Sequence, residues 1–210
     1  MIRYFTSALA GFGLLLATLS PIMAAGPAAT ASDPAAQQIR EFYAVLVDTM
    51  KQGSSLGIEG RYKKLKPAVE AAFNLPAMTQ FAVGPAWARM SDDQHKALVA
   101  AFERMTIANY AKNFDSYDGQ KFVVLPDTIT RAEDKLVQSE LRPNKGEPVK
   151  FNYRMREDGS KDWKVIDVLL AGFTSQLALR RSEFAHTVDT EGAAGLVKKI
   201  NQVADNAMKG

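Results

Sequence analysis

The sequence predicts an α+β fold: a four-stranded, curved antiparallel sheet packed with helices from both ends of the chain, with an apolar cavity between the layers. Three observations carry this reading. Apolar residues recur at helical spacing up to about residue 114, period-2 alternation takes over between Lys121 and Leu170, and helical spacing returns from Phe173 onward. Helices, then consecutive strands, then helices are the order of an α+β domain rather than of a parallel sheet.

The elements follow in order. Residues 1–25 read as a signal peptide. Arg3 supplies the early positive charge, Ala8 to Leu19 is a short apolar run, Ser20 and Pro21 break it, and cleavage is expected near Ala24 or Ala25. That run is shorter than the ~17 residues needed to span a bilayer. With no Cys after it, lipoprotein processing is not available. Residues 26–32 are a small-residue linker, and 33–210 form a single domain. The expected location is the periplasm.

Asp33-Pro34 places a capping side chain before a proline at the first helical position. Ile39, Phe42, Tyr43, Leu46 and Met50 then mark one buried face. Gln52 to Gly60, with three glycines and two serines, reads as loop. Pro67 and Pro76 each open a short helix. Ser91-Asp-Asp-Gln94 is a capping box, and its helix runs to about Phe114. Leu98, Phe102, Met105 and Asn109 share a stripe, while Ile107, Tyr110 and Phe114 sit well round the helix. Such a helix is packed between layers or borders a cavity.

Pro126 makes Lys121 to Arg131 an edge strand or a bulge. Lys135 to Arg142 is the second strand. In the third, Val149, Phe151, Tyr153 and Met155 alternate with Lys150, Asn152, Arg154 and Arg156, one face buried and one wet. The basic row of Lys150, Arg154 and Arg156 is a solvated face in the first instance, or a dock for acidic lipid headgroups or an acidic partner. Asp158-Gly159 turns the chain into Trp163 to Leu170, which is apolar on both faces and expected to be interior. Two amphipathic helices close the chain, marked by Phe173, Leu177, Phe184 and Val188, then by Leu196, Ile200, Val203 and Ala207.

Several chemistries lack their residues. There is no Cys, and the two histidines, His95 and His186, have no carboxylate at ligand spacing, so neither a metal nor a cofactor is expected. No P-loop, G-x-G-x-x-G or G-x-S-x-G occurs. A net charge of +3 is too small and scattered to imply nucleic acid. One carboxylate stands in an apolar setting, Asp167 between Ile166 and Val168. It is either a general base, with Tyr43 or Tyr153 polarising a carbonyl as in isomerases on cone-shaped sheets, or a structural group meeting an amide, an Arg or a helix N-terminus. A docking subunit without cargo is a third possibility.

Larger patterns resemble one family. Trp163 to Thr174 reads W-K-V-I-D-V-L-L-A-G-F-T, similar to the W-x-V-x-D-V-x-x-x-G-x-S of the MlaC / toluene-tolerance (Ttg2-type) family of periplasmic lipid carriers, with Thr174 where Ser is usual. Arg180-Arg-Ser-Glu-Phe184 and Gly192 to Leu196 resemble its R-x-x-F and G-x-x-G-L endings, and Gly84-Pro-Ala-Trp87 also fits. Gly60-Arg-Tyr, Val83 to Trp87 and Phe114-Asp-Ser-Tyr117 look most like the hopanoid-associated HpnM branch. The resemblance implies a non-enzymatic shuttle for a phospholipid or hopanoid. It would work with a membrane-bound ABC transporter complex, with lipid-donor or acceptor proteins and with transient membrane contact. The residues expected at the lipid cavity are Phe73, Met78, Phe81, Trp87, Phe102, Met105, Asn109, Tyr110, Phe151, Tyr153, Met155 and Phe173.

Overall fold

A computed structural model describes residues 33–209; the expected signal peptide and linker lie outside the described residues. Helix α1 (Pro34–Lys51) starts where the Asp33 carboxylate accepts from the amides of Ala35 at 2.9 Å and Ala36 at 3.4 Å. Helix α2 (Gly53–Ala72) and helix α3 (Leu75–Val83) follow, then a 3₁₀ turn at Gly84–Arg89 and helix α4 (Asp92–Asn113). The capping box of α4 is formed in full: Ser91 Oγ accepts from the Gln94 amide, and Gln94 Oε1 accepts from the Ser91 amide.

The strands β1 (Lys121–Arg131), β2 (Asp134–Arg142), β3 (Val149–Glu157), β4 (Trp163–Leu170) and β5 (Thr174–Ser175) form one antiparallel sheet in the order β1-β2-β3-β4-β5. Helix α5 (Gln176–Met208) completes the described chain. It breaks at Gly192, whose φ of 66° and ψ of −165° are open essentially to glycine alone, so two helical pieces close the chain as expected.

Three expectations need correction. The sheet has five strands, not four, because the chain turns back after Leu170 and pairs Thr174 with Leu170 and Ser175 with Leu169. Gln52 to Gly60 is helical from Gly53 onward except at Gly57, whose φ of 60° and ψ of 179° break α2 into two pieces, and Pro67 lies inside the second piece rather than at a helix start. The glycine at 53 is there for close approach: a Cβ would lie 1.7 Å from the Asp115 carbonyl oxygen. Buried Arg61 fastens this stretch, donating to the carbonyls of Gly53 and Ala111 at 2.7 Å each. Third, β4 is not flanked by two full strands. Beyond β5 its outer edge is covered by a parallel bridge from Phe73 to Val165, with the Asn74 amide donating to the Val165 carbonyl at 2.9 Å.

The helices lie against the sheet, α1 reaching β1, β2 and β4, while α4 packs on α2 and α5. Phe42 joins the layers, its ring edge-on to Phe73 and to Tyr110 at 5.3 Å each. On the basic row, Asp134 collects Arg154 Nε and Arg156 Nε, both at 2.6 Å, so this part of the sheet face is largely neutralised. Burial alone would raise the Asp134 carboxyl, but the donors Arg156 and Arg154 outweigh it and hold it below its ordinary 3.8. Among the described residues no helix is long and apolar enough to cross a membrane.

A carboxyl lowered on folding stabilises the fold above its unfolded value, and that contribution is lost as pH falls through the lowered folded value. Asp134→Asn is therefore expected to lower the urea midpoint at pH 7, with the gap to wild type closing as the pH is taken below 3.8. A gap that is unchanged at acid pH would show that the ion pairs contribute nothing.

Candidate functional site

The sheet and helices do not close on one another everywhere. A recess of about 590 Å³ opens between β3 and β4 on one side and α4 with the start of α5 on the other. Its sheet wall is Val149, Phe151 and Tyr153 of β3 with Val168 and Leu170 of β4. Period-2 alternation puts the three β3 residues on one face, as expected. Met78 of α3 and Phe102 and Met105 of α4 face them, with Phe73, Phe114 and Phe122 completing the apolar lining.

Eight of the twelve residues expected at the cavity line this recess: Phe73, Met78, Phe102, Met105, Asn109, Tyr110, Phe151 and Tyr153. The other four stand outside the lining, each for a visible reason. Met155 is fully buried in the core beyond the register shift between β3 and β4, where Ile166 has no partner in the ladder. Trp87 stacks on His95 with ring centroids 3.9 Å apart, and His95 Nε2 is 2.9 Å from the Trp87 carbonyl oxygen. Phe81 is 45% exposed and carries the Arg181 guanidinium 5.2 Å above its ring. Phe173 is 79% exposed, because positive φ at Ala171 and Gly172 turns the chain tightly between β4 and β5 and leaves its ring outside.

Sequence reasoning missed Phe114, Phe122, Val168 and Leu170 as lining. The second apolar group on α4 was the signal for Phe114, which stacks on Tyr110 at 5.6 Å and leads to Phe122 at 5.8 Å. Phe122 also borders a second recess of about 590 Å³ between α1 and β1, so one ring forms a wall common to both. Behind that wall, the hydroxyls of Tyr43 and Ser139 lie 2.6 Å apart, and Ser139 donates on to the Phe151 carbonyl. Burial pushes the Tyr43 phenol up to about 12 and those of Tyr110 and Tyr153 well above their ordinary 10.0. These hydroxyls stay neutral through the physiological range.

Asp167 lines the recess but is engaged. Ser175 Oγ donates to its Oδ2 at 2.6 Å and the Leu177 amide to its Oδ1 at 3.1 Å, which places the carboxylate at the N-terminus of α5. There the helix dipole and two donors compensate a charge whose residue is only 8% exposed. This is the structural role weighed for it above. Among the described residues no cluster of His, Cys, Asp or Glu is arranged to hold a metal ion.

Asp167→Asn is expected to cost about 1–3 kcal/mol in urea unfolding, the range for losing charge-assisted bonds to a buried group. A variant as stable as wild type would remove this junction from the account of the fold.

Comparison with known proteins places this geometry in a family. No curated protein matches the chain. Among solved structures, a phospholipid-binding protein from Ralstonia solanacearum, determined in complex with a phospholipid, shares the fold with a TM-score of 0.72 at 20% identity. The match covers 83% of this chain and 99% of that one. Residues 40–202 match the family model described as MlaC protein, most of the chain and all of the recess lining, and the protein therefore belongs to the MlaC family.

Proposed function

We propose that the chain is a periplasmic carrier that binds a phospholipid, hides its tails in the recess between sheet and helices, and passes it between membrane-bound partners. The observation that carries this reading is the recess itself: an open, largely apolar space of about 590 Å³ bordered by Phe, Met, Val and Leu side chains. Its size lies within the ~300–1,000 Å³ usual for ligand sites. Membership of the MlaC family and the phospholipid-bound relative of the same fold support the choice of cargo. The branch-like phrases around Gly60 and Val83 keep a hopanoid as the alternative cargo.

Affinity must be limited for a carrier to work. At about 0.8 kcal/mol per buried CH₂, about two dozen methylenes already reach the roughly −20 kcal/mol ceiling of non-covalent binding. A recess that stays open on one side leaves part of the tails uncovered and keeps release within reach. Delivery to an ABC transporter complex would supply the energy that this chain, with no nucleotide motif, does not. Against the isomerase-type alternative, Asp167 already accepts from Ser175 and from the Leu177 amide, which supports a structural role for it.

Organic extraction and mass spectrometry of the purified protein are expected to yield a phospholipid at near-stoichiometric amounts. Val168→Trp puts a ring into the recess from its half-buried strand position, and is expected to cut that yield several-fold with little change in melting temperature. Wild-type protein that carries and takes up no lipid would sink the carrier reading.

A further inference from the structure

The recess is apolar over most of its lining and polar along one margin. On α4, Thr106, Asn109 and Asn113 recur at spacings of three and four, which puts them on one helical face. On α5, Gln176 and Arg180 are four apart and line the recess with Leu177. Among the described residues, Arg180 is the one cation in the lining and Asp167 the one anion. The anion is already compensated by Ser175 and the start of α5, so it does not cancel Arg180.

The donors on this margin differ in how far they are used. The Thr106 hydroxyl donates to the Phe102 carbonyl at 2.8 Å, and the Gln176 amide to that of Thr174 at 3.3 Å. The Asn109 side chain makes no hydrogen bond among the described residues, although it is half-buried. Arg180 gives Nη1 to Glu183 at 2.6 Å, one turn further along the helix. A guanidinium has five N–H donors in a flat fork, and that fork matches two oxygens of a phosphate.

A phosphodiester supplies what this margin lacks, a single negative charge and oxygens that only accept. An uncharged lipid would leave Arg180 with Glu183 as its bonded anion and nothing for the rest of its fork, since the Asp167 charge is already met by Ser175 and the start of α5. We infer that Arg180, with the Asn109 amide, takes the phosphodiester of the lipid at the recess margin and so selects phosphate-bearing lipids over uncharged ones. This rests on the carrier reading and adds to it a residue that sets specificity. The tails then point toward Phe151, Tyr153 and Val168, and the headgroup stays at the rim.

Two probes with identical acyl chains, a phosphatidylglycerol and a diacylglycerol, separate the headgroup from the tails. Delipidated full-length protein is titrated with each. Wild type is expected to bind the phosphatidylglycerol about tenfold or more tightly, the scale of one charge-assisted contact. Arg180→Leu should abolish that preference while leaving diacylglycerol binding within about twofold, and Arg180→Lys should restore part of it. Asn109→Ala should reduce the preference without removing it. Equal wild-type affinities, or a preference that survives Arg180→Leu, would overturn the assignment and leave the carrier intact. Parallel loss of both lipids in Arg180→Leu would also overturn it, since that is what damage to the fold produces. Failure of wild type to bind either lipid would remove the carrier reading and this assignment together.

Discussion

The carboxylate of Asp167 joins strand β4 to the first turn of α5, and the shape of the recess depends on that junction. The Leu177 amide is one of the donors that a helix leaves unsatisfied at its start. By taking it, Asp167 fixes where α5 leaves the sheet. Leu177 and Arg180 are aimed from that point, and further along the helix Phe184 meets Phe102 of α4 edge-on at 6.5 Å. The helical side of the recess is thus held from one end by a charge and from the other by packed rings. A carboxylate sharing the space with apolar side chains is ordinarily costly. Here the cost is offset by bonds that also set the geometry.

Another part of the wall is held differently. Phe42, Phe73, Tyr110, Phe114, Phe122 and Tyr43 form a continuous chain of ring contacts, each within about 6 Å of the next. Interiors of this kind are close-packed and transmit strain rather than absorbing it. Buried phenols that remain protonated add hydrogen bonds to this wall without adding charge. This part of the recess is therefore stiff, while Ala171 and the start of α5 line another part of it.

Much of the fold was legible because its signals are local. Asp33 and Ser91 cap the helices they were expected to cap, and β3 alternates as its sequence does. The failures are tertiary. Gly53 and Gly60 look like loop residues, yet Gly53 is small so that Asp115 can pass, and a distant carbonyl at Ala111 pins Arg61. Strand β5 is two residues long, too short for any period to register. For the recess, spacing identified which side chains turn inward. It carried no information on which inward side chains stay uncovered. Met155 and Phe151 share a face by alternation, but the irregular register beside Met155 buries the first and leaves the second at the recess. Trp87 and Phe81 looked available until His95 and Arg181 were seen to claim them.

Strand β1 pairs with β2 along one side and, among the described residues, forms an edge of the sheet. Such an edge offers unpaired amides and carbonyls to any strand that approaches, including the same strand of another copy. In this chain the edge is interrupted midway: the register slips between Val124 and Thr128, and Pro126, which has no amide to donate, sits at the break with exposed Asp127 beside it. Exposed Lys121 and Arg131 stand at its two ends, so parallel copies would bring like charges together. A flat, uninterrupted β1 would give every molecule a ready template for the next. The irregularity spoils this strand as a template, so the edge of the sheet is shaped against pairing with a second copy.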